Sequence, residues 1–311
     1  MFDGISCGQQ ALTEMELNIN QYFASEINGD SICITQSNFP NTIQIGDVTQ
    51  ILNIEKGGTH KVSDTLKNLP KIDLLIGGSP CQGLSRANKD RLNLKDSRSK
   101  LFFNFVEIRN WIRKHNNPNV VWLLENVKPN LETIEIMNEV LGCAPYEINS
   151  NHFVAQDRIR LYWTNIKLDL SQLPHPKYSI ENIMELNHKE KIKNLVEDGY
   201  ADTIKWGKNY IQWDTSGKGN YSQDSRARYP DKTMNTLTKS NGGDKTRIFL
   251  GKDEHGIYYR NASVGELESL QGLPKNYTSA IKSKGKRKGL IGDGWTIPVI
   301  KWILEHEYNI E

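Results

Sequence analysis

Ile72-Asp-Leu-Leu-Ile-Gly-Gly-Ser-Pro-Cys-Gln-Gly-Leu-Ser85 is the stretch that decides the fold. Its apolar start predicts a buried strand, and Gly77-Gly78 ends that strand. Pro80 then places Cys81 on a loop. A lone cysteine is more often a small core residue than a reactive group. Because Cys81 is predicted on a loop, its position needs an explanation, and a chemical role is the alternative to core packing.

Two later segments place a carboxylate and two arginines near further predicted strands. Glu125-Asn126-Val127 directly follows the apolar run 120–124, and Gln156-Asp-Arg-Ile-Arg160 opens another run. Taken singly, such a glutamate or arginine is most often a surface charge at a strand end. In open α/β sheets, however, active sites gather at strand ends. We therefore expect Cys81, Glu125 and Arg160 to share one site.

Strand-like and helical segments alternate through the first half of the chain. Strands are predicted at residues 21–27, 43–48, 72–77, 120–124, 146–154 and 159–166. Helices are predicted at 9–17, 64–69, 99–114 and 131–141, with Ser63 capping the second of them. This alternation predicts an α/β fold with a doubly wound parallel sheet.

The second half has a different character. From about residue 167 to 228 the chain is polar, rich in Asn, Lys, Gly and Ser, and without a clear period. Order returns after Pro230, with a helix predicted at 263–271 and a last helix that ends near Glu307. These changes divide the chain into a body at 1–166, a polar insert at 167–228 and a returning segment at 229–311.

Length and composition narrow the class of protein. The 311 residues leave room for one large domain and a small second one. No apolar run approaches the ~20 residues that a membrane-spanning helix needs. The four cysteines are far apart, which disfavours a zinc site or a disulfide framework and favours a reducing, cytosolic compartment.

Basic residues are concentrated in two places although the net charge is only +2. Residues 86–100 contain six basic and two acidic side chains, and residues 282–288 contain five basic and no acidic ones. Either cluster could be a solvated loop. The first also directly follows Cys81, so a ligand that reaches the thiol would meet these cations.

The order of the Pro-Cys loop, Glu-Asn-Val and Gln-x-Arg-x-Arg resembles that of the cytosine-5 DNA methyltransferase family. Phe-Asp-Gly-Ile, Ala-Ser-Glu-Ile, Gly-Gly-Ser-Pro-Cys and Lys-Leu-Phe-Phe look most similar to animal de novo methyltransferase catalytic domains and their phage and bacterial relatives. The resemblance covers nearly all of the chain except 167–228. It implies a Rossmann-like methyltransferase fold in which 1–166 is the catalytic and cofactor-binding domain. Residues 167–228 would be the target-recognition region, and 229–311 would complete that region and return to the catalytic domain.

The resemblance implies covalent catalysis on a cytosine that is flipped out of the duplex. The Cys81 thiolate would add to carbon 6 of the base. Glu125, as a protonated acid in a dry pocket, would donate to N3, and Arg160 would stabilise O2. Arg158 of the same motif is counted with the catalytic residues.

A glycine turn and two acids resemble the family's S-adenosylmethionine site. Glu26 would hold the ribose and Asp47 the adenine amine, although helix capping is an equally ordinary use of such acids. S-adenosylhomocysteine would be the product. The other residues implied here are Phe2, Asp3, Gly4, Ile5, Leu101 and Trp295, with Ile27 and Val48 on the two faces of the adenine ring.

Two departures from the family pattern concern the cofactor. Only Met1 precedes Phe2, where the family has a full apolar strand, and Gly292-Asp293 stands where the family has Gly-Asn. The first departure means either that the central strand is cut short or that the start of the sequence is truncated, and it puts cofactor affinity in doubt. Regulatory domains have no counterpart here, which favours a stand-alone catalytic unit.

Two alternatives remain beside DNA cytosine-5 methylation. A tRNA methyltransferase of the same fold is disfavoured because its Cys-Phe-Thr signature does not occur in the chain. A catalytically inactive DNA-binding partner is disfavoured because the nucleophile and the cofactor acids are present. The leading interpretation predicts double-stranded DNA as partner, no metal, a monomeric or weakly self-associating protein, and the cytoplasm of a bacterial or phage-infected cell.

Overall fold

The computed structural model describes residues 1–54, 60–80, 101–185, 188–219, 221, 225–238 and 246–308. The chain forms two compact units. The first comprises Met1–Asn149, Ile159–Gln172 and Val299–Glu311, and the second comprises Ser150–Arg158 and Leu173–Pro298. The second unit thus extends well past residue 228, where the sequence placed the end of the polar insert.

Helices and strands alternate in the first unit. In chain order they are α1 (Cys7–Glu14), β1 (Phe23–Ala24), α2 (Gly29–Asn38), β2 (Ile43–Gln44), α3 (Val48–Ile51), β3 (Leu52–Ile54), β4 (His60–Val62), α4 (Asp64–Lys67), β5 (Leu74–Gly77), α5 (Leu101–His115), β6 (Val121–Asn126), α6 (Leu131–Leu141), β7 (Tyr146–Asn149) and β8 (Ile159–Thr164). None of the helices in the described part of the chain is long and apolar enough to cross a membrane.

The second unit is built on strands β9 (Lys193–Asn194), β10 (Lys205–Trp206), β11 (Tyr210–Gln212), β12 (Arg226–Arg228), β13 (Arg247–Lys252) and β14 (Ile257–Asn261), followed by α7 (Val264–Leu270) and α8 (Lys284–Asp293). Helix α9 (Ile297–Tyr308) returns the chain to the first unit. Single 3-10 turns occur at Ser150–His152, Leu170–Gln172, Ile180–Ile183 and Ala201–Thr203.

Local capping explains where three predicted helices begin, although the helix predicted at 9–17 lies at Cys7–Glu14. Helix α6 matches the predicted range 131–141, because the Asn130 side chain accepts a hydrogen bond from Thr133 N and Gly142 ends the helix in the left-handed conformation. Ser63 caps α4 as expected. At α7, Ser263 and Glu266 form a reciprocal capping box.

Among the described strands of the first unit, parallel pairing occurs in two places, as the alternation predicted. β1 pairs in parallel with β2, and β5 pairs in parallel with β6. The sheet order β5-β6-β8-β7 also contains two antiparallel pairs, which the sequence did not predict. The connection from β7 to β8 contains only one 3-10 turn, and an antiparallel neighbour can be reached through such a short connection whereas a parallel one cannot.

The predicted strand at 43–48 is wrong beyond Gln44. Asp47 is the N-cap of α3, and its carboxylate accepts hydrogen bonds from the backbone N–H and the hydroxyl of Thr49, at 2.8 and 2.9 Å. Asp47 therefore caps a helix, which was the alternative to cofactor binding that the sequence left open for this acid. Helix α2 and the β3–β4 pair were not predicted at all.

The core of the first unit lies between α5 and the β5–β6 pair. Phe102, Phe105 and Trp163 are fully buried there. A Cβ atom on Gly77 would lie 2.9 Å from the Phe105 ring and 3.1 Å from the carbonyl oxygen of Met1. Glycine therefore permits both the helix and the amino-terminal residues to approach the end of β5 closely.

The second unit is a six-stranded sheet in the order β10-β11-β12-β13-β14-β9. Its small core contains Ile211, Trp213 and Tyr259. Arg260 and Glu266, both fully buried, form a bidentate ion pair at 2.6 and 2.7 Å that joins β14 to α7. Four of the six strands have only two or three residues, which is too short to give a period that sequence inspection could detect.

Candidate active site

The carboxyl ends of β5 and β6 form the base of the candidate site. Their parallel register pairs Gly77 with Leu124, so Glu125 and Asn126 lie at the end of β6 beside the segment that leaves β5. Asn126 is 1% exposed, and its Nδ2 donates to the carbonyl oxygen and the hydroxyl of Ser79, at 3.2 and 3.0 Å. These two bonds fix the residues that lead through Pro80 toward Cys81.

Cys81 and the basic segment that follows it lie outside the described residues, which resume at Leu101. The described geometry thus fixes the start of the Pro-Cys loop and the strand end beside it. Asn126 was not singled out from the sequence, although it stands in the middle of the quoted Glu-Asn-Val motif. Its position between Glu125 and Val127 in that motif was the signal that could have identified it.

Glu125 and Arg160 are brought together by the antiparallel pairing of β6 with β8. Glu125 pairs with Tyr162, and Arg160 lies two residues away on the same side of β8. The Arg160 Nε lies 3.0 Å from Glu125 Oε1, and the two side chains are only 13% and 11% exposed. A carboxylate and a guanidinium therefore share one shielded position at the strand end.

Arg158 and Gln156 have different surroundings. The guanidinium of Arg158 is buried and donates to the carbonyl oxygens of Leu237, Gly292 and Gly294 at 2.8 to 3.3 Å. Gln156 is fully buried and accepts a hydrogen bond from Leu237 N at 2.9 Å. Both side chains hold segments of the second unit together, and we propose a positioning role for Arg158 rather than contact with the base.

The predicted cofactor turn has an unusual backbone. Phe2, Gly4 and Ser6 all have φ between 54° and 58°. This is the left-handed region, which residues other than glycine rarely adopt. The Asp3 carboxylate accepts a hydrogen bond from the Tyr22 hydroxyl at 2.8 Å and another from Ser6. Such strain persists only where the surrounding contacts enforce it, and it concentrates at ligand sites.

The Asp3 carboxyl group interacts with the charged Met1 amino group at this turn. Burial raises the pKa of the Asp3 carboxyl, although the Met1 amino group and the hydrogen bonds from Ser6 and Tyr22 oppose that rise. Tyr22 is a site residue that sequence reasoning missed. It carries no motif signal, because its partner Asp3 lies in a distant segment of the chain.

Glu26 connects the turn to the end of β1. Its Oε2 accepts from Gly4 N at 2.8 Å, and its Oε1 accepts from the backbone N–H groups of Ile27 and Asn28, also at 2.8 Å. The adjacent Ile27 is 74% exposed, so its apolar side chain is accessible beside this carboxylate. An apolar face and an anionic acceptor therefore stand side by side.

The other predicted cofactor residues differ in exposure. Val48 and Ile5 are buried, at 4% and 1%, so little of either side chain is accessible to a ligand. Leu101 begins α5 and packs half-buried against the core. Trp295 is half-buried in the second unit. Among the described residues, no group of three or more His, Cys, Asp or Glu side chains could hold a metal ion.

A basic and aromatic face occurs on the sheet of the second unit. Arg226 and Arg228 alternate along β12 and therefore share one face, with Tyr210 opposite Arg228 in the register. Their guanidinium carbons lie 4.7 and 5.3 Å from the centre of the Tyr210 ring. Burial lowers the pKa of Arg228, and the charge of Asp157 opposes that effect. We call this set the Tyr210 face.

The basic run 282–288 does not form a uniform solvated surface. Arg287 donates to Thr278 and Glu268 at 2.8 and 3.0 Å, and Lys288 is 8% exposed. Lys284 pairs with Glu190 at 3.4 Å. At least these three cations are engaged with the protein itself, so the run offers fewer charges to an outside ligand than its sequence suggests.

The family model for C-5 cytosine-specific DNA methylases matches residues 1–308. The chain belongs to this family. The match extends over both units and includes the Pro-Cys, Glu-Asn-Val and Gln-x-Arg-x-Arg motifs. It establishes the methylase as an S-adenosylmethionine-dependent DNA cytosine methyltransferase and confirms the resemblance found in the sequence.

Curated relatives of the methylase include two bacterial enzymes. Type II methyltransferase M1.ScrFI of Lactococcus lactis subsp. cremoris is 28% identical over 98% of this chain and 76% of its own length. Type II methyltransferase M.NlaIV of Neisseria lactamica is 27% identical over 79% of this chain. The aligned region spans 60% of the length of M.NlaIV, so that relative contains sequence with no counterpart here.

A solved structure supports the fold. The Entamoeba histolytica methyltransferase EhMeth superposes with a TM-score of 0.64, covering 99% of the methylase and 96% of EhMeth at 16% identity. At this identity the likeness concerns the fold alone. The likeness confirms the predicted Rossmann-like methyltransferase fold. In this chain that fold includes the antiparallel pairs β6–β8 and β7–β8.

Proposed function

We propose that the methylase modifies a flipped cytosine in double-stranded DNA by covalent catalysis, with Cys81 as the nucleophile. The observation that carries this proposal is the Glu125–Arg160 pair, which is largely shielded from solvent at the end of β6. Asn126, the next residue of the strand, anchors the segment that leads to Cys81. Acid, guanidinium and the start of the nucleophile loop thus converge at one strand end, as the chemistry requires.

Cytosine needs a nucleophile because its carbon 5 is otherwise too unreactive to attack a methyl donor. The Cys81 thiolate adds to carbon 6, and the electron pair of the 5,6 double bond shifts to carbon 5. Bound S-adenosylmethionine would supply the methyl group that carbon 5 takes up, and S-adenosylhomocysteine would leave. Solvent would accept the proton of carbon 5, and elimination of the thiolate would restore the ring.

Glu125 and Arg160 stabilise the charge that develops on the base during thiolate addition. Glu125 donates a proton to N3, and Arg160 donates hydrogen bonds to O2. Their shielded position supports these roles, because electrostatic contacts are stronger where water is excluded. In the described state Glu125 faces Arg160 as a carboxylate, so the proposal requires that the incoming base replaces part of the ion pair and that Glu125 takes up a proton before it donates to N3.

The residues at the amino-terminal turn fit S-adenosylmethionine. Glu26 is held by three backbone N–H groups and offers its remaining acceptor capacity to the ribose hydroxyls. Ile27 presents an exposed apolar surface for the adenine ring. The Asp47 oxygen that caps α3 is occupied, so an amine would have to bind the other carboxylate oxygen or compete with Thr49.

The second unit supplies DNA contacts in this proposal. Arginine stacked on an aromatic ring is a common arrangement at nucleic-acid surfaces, and such cations bind phosphates or base edges. Since both bacterial relatives are named as Type II methyltransferases, we also propose a role in restriction–modification. The protein would act as a monomer or a weakly self-associating protein in the cytoplasm of a bacterial or phage-infected cell.

Methyl transfer from tritiated S-adenosylmethionine tests the proposed function. Mixed-sequence duplex DNA should acquire label that nuclease digestion recovers as 5-methylcytosine, while tRNA should acquire none. Label in tRNA but not in DNA would establish the RNA-modifying alternative. Binding of duplex DNA with no label in either substrate would establish an inactive partner.

Asn126→Ala is expected to lower kcat by about 10-fold or more while the KM for DNA changes little. Asn126 acts through Ser79, so its loss releases the start of the nucleophile loop without removing a reacting group. Steady-state kinetics check this prediction, together with the rate of alkylation of Cys81 by a small thiol reagent. A purely structural role would lower the unfolding temperature and leave both the kcat of the remaining folded enzyme and the alkylation rate unchanged.

Arg226→Gln with Arg228→Gln is expected to weaken DNA binding and to reduce the slope of log affinity against log salt by about one unit for each lost phosphate contact. Fluorescence anisotropy across a salt series measures both quantities. Lys67→Gln with Lys71→Gln removes the same charge from exposed positions of the first unit and serves as the control. Equal slopes in the two double variants would remove the Tyr210 face from the DNA-binding surface.

A further inference from the structure

The methionine end of S-adenosylmethionine has no assigned partner in the proposed cofactor site. In that site Glu26 binds the ribose, Ile27 covers the adenine ring and Asp47 faces the adenine amine. The opposite end of the cofactor carries an ammonium group, which donates hydrogen bonds to anions. Asp3 is the other acid of the same turn. It is half-buried, so part of this residue is accessible to a ligand.

Two hydroxyl groups fix the orientation of the Asp3 carboxylate. Its Oδ1 accepts a hydrogen bond from the Tyr22 hydroxyl at 2.8 Å, and its Oδ2 accepts one from the Ser6 hydroxyl. A carboxylate oxygen accepts about two hydrogen bonds, so both oxygens retain capacity for a further donor. Because the two hydroxyls are neutral, they orient the carboxylate without cancelling its charge.

The Ser6 hydroxyl serves Asp3 rather than the helix that it precedes. Serine at an N-cap normally accepts a hydrogen bond from the first turn of the helix, but within the described residues Ser6, the N-cap of α1, makes no side-chain bond of this kind. Its φ of 58° and ψ of 38° lie in the left-handed region, where a serine is strained. Strain of this kind is typical of positions that hold a functional group, and here the strained hydroxyl contacts Asp3.

Tyr22 connects Asp3 to the strand β1. The Tyr22 carbonyl oxygen accepts a hydrogen bond from Ile43 N at 2.9 Å, just before the parallel pair β1–β2 begins. Asp3 N donates to the carbonyl oxygen of Ser25, just after β1, at 3.2 Å. Asp3 is thus attached to both ends of this strand, by its side chain at the start and by its backbone at the end. The double attachment fixes Asp3 relative to Glu26, which follows the same strand.

The surroundings of Asp3 favour a cationic ligand. Burial raises the pKa of the Asp3 carboxyl, the charge of the Met1 amino group opposes that rise, and the charge of Glu26 adds to it. A cation that binds beside these two carboxylates reduces the repulsion between them. S-adenosylmethionine has two positive centres, of which the ammonium group donates hydrogen bonds and the sulfonium does not. The ammonium group is therefore the better partner for an oriented carboxylate.

We propose that Asp3 binds the ammonium group of S-adenosylmethionine, and that Tyr22 and Ser6 are positioning residues that hold the carboxylate for this contact. The assignment rests on the proposed cofactor site. Since the carboxylate is oriented before the ligand arrives, less conformational entropy is lost on binding. S-adenosylhomocysteine carries the same ammonium group, so it makes the same contact and can be used to measure it.

Calorimetric titration with two ligands isolates the contact. The first ligand is S-adenosylhomocysteine, and the second is its analogue in which hydrogen replaces the α-amino group. Tyr22→Phe and Ser6→Gly are each expected to weaken binding of S-adenosylhomocysteine by about 10-fold, the effect of losing a hydrogen bond to a charged group. Both variants should bind the deaminated analogue as tightly as the unmodified protein does.

Asp3→Asn tests whether the two positioning residues act through Asp3. This substitution keeps the shape of the side chain but removes its charge, so it should abolish the preference for the ligand that carries the amino group. In the Asp3→Asn protein, the additional change Tyr22→Phe should weaken binding no further. The unfolding temperature of Ser6→Gly should stay close to that of the unmodified protein, because relief of the left-handed strain offsets the lost hydrogen bonds.

Tyr258→Phe is the matched control. It also removes a hydrogen bond from a tyrosine to an aspartate, since the Tyr258 hydroxyl donates to Asp253 Oδ1 at 3.2 Å, but this pair lies in the second unit. Both ligand affinities should be unchanged in this variant.

Three results would overturn the proposal, and they differ from one another. Equal weakening of both ligands in Tyr22→Phe and Ser6→Gly would mean that these residues maintain the whole turn and not the ammonium contact. Unchanged affinity for both ligands would mean that neither residue positions a binding group. Failure of the unmodified protein to bind S-adenosylhomocysteine would overturn the proposed cofactor site itself, and this contact with it.

Discussion

Cys81→Ser is expected to abolish methyl transfer, lowering kcat by more than ~10³-fold, while binding of DNA and S-adenosylmethionine is retained. A serine hydroxyl ionises far less readily than a thiol, so it cannot add to carbon 6 at a useful rate. Tritium transfer into duplex DNA measures the loss, and anisotropy and calorimetry measure binding.

Cys33→Ser is the matched control for this substitution. Cys33 is exposed on α2 and belongs to none of the motifs assigned to the candidate site, so its replacement should leave kcat unchanged. Turnover of Cys81→Ser within a few-fold of the unmodified protein would show that another group attacks the base.

Glu125→Gln and Arg160→Ala are each expected to lower kcat by about 10²-fold, the usual effect of losing a general acid or a charge-stabilising donor. Both residues contact the reacting base in the proposed mechanism, so the KM for DNA should change much less than kcat. Because each variant leaves its partner without a counter-charge in a shielded position, unfolding temperatures must be measured beside the kinetics.

Glu147→Gln provides the control for removing one member of an ion pair from the same sheet. Glu147 on β7 pairs with Lys128, and both side chains are more than 40% exposed, so little effect on stability or rate is expected. If Glu125→Gln raised only the KM for DNA, a positioning role would replace the catalytic one for that residue.

Local signals made parts of the first unit predictable. The helical pattern at 131–141 predicted α6, and the apolar runs before Gly77 and Glu125 predicted the strands of the parallel pair β5–β6. Because β5 and β6 were expected to run in the same direction, the Pro-Cys loop and Glu125 were expected to lie at the same edge of the sheet. The proximity of Arg160 was also anticipated, although its strand runs antiparallel.

Long-range partners account for much of what the sequence could not reveal. Arg158 and Arg160 stand two residues apart in one motif, yet Arg158 is bound to carbonyl groups of segments about 80 and 135 residues later in the chain. Arg287 looks like one of five equivalent cations until Glu268 is seen to pair with it. Such pairings depend on tertiary structure and leave no periodic signal.

The short strands of the second unit were missed for a different reason. Residues Lys205–Trp206 and Tyr210–Gln212 form strands by pairing with each other, and Tyr210–Gln212 also pairs with Arg226–Arg228. Segments of two or three residues have no measurable alternation, so tertiary contacts decide their conformation. The Tyr210 face could therefore not be found before the strands were placed.

Covalent trapping tests the central claim most directly. A duplex that contains 5-fluorocytosine at the target position has no proton on carbon 5 to lose, so the thiolate cannot be eliminated after methyl transfer. Incubation with S-adenosylmethionine should give a stable protein–DNA adduct, and peptide mass spectrometry should locate the modified base on Cys81. An adduct on a different residue, or methylated product with no adduct at all, would contradict the account.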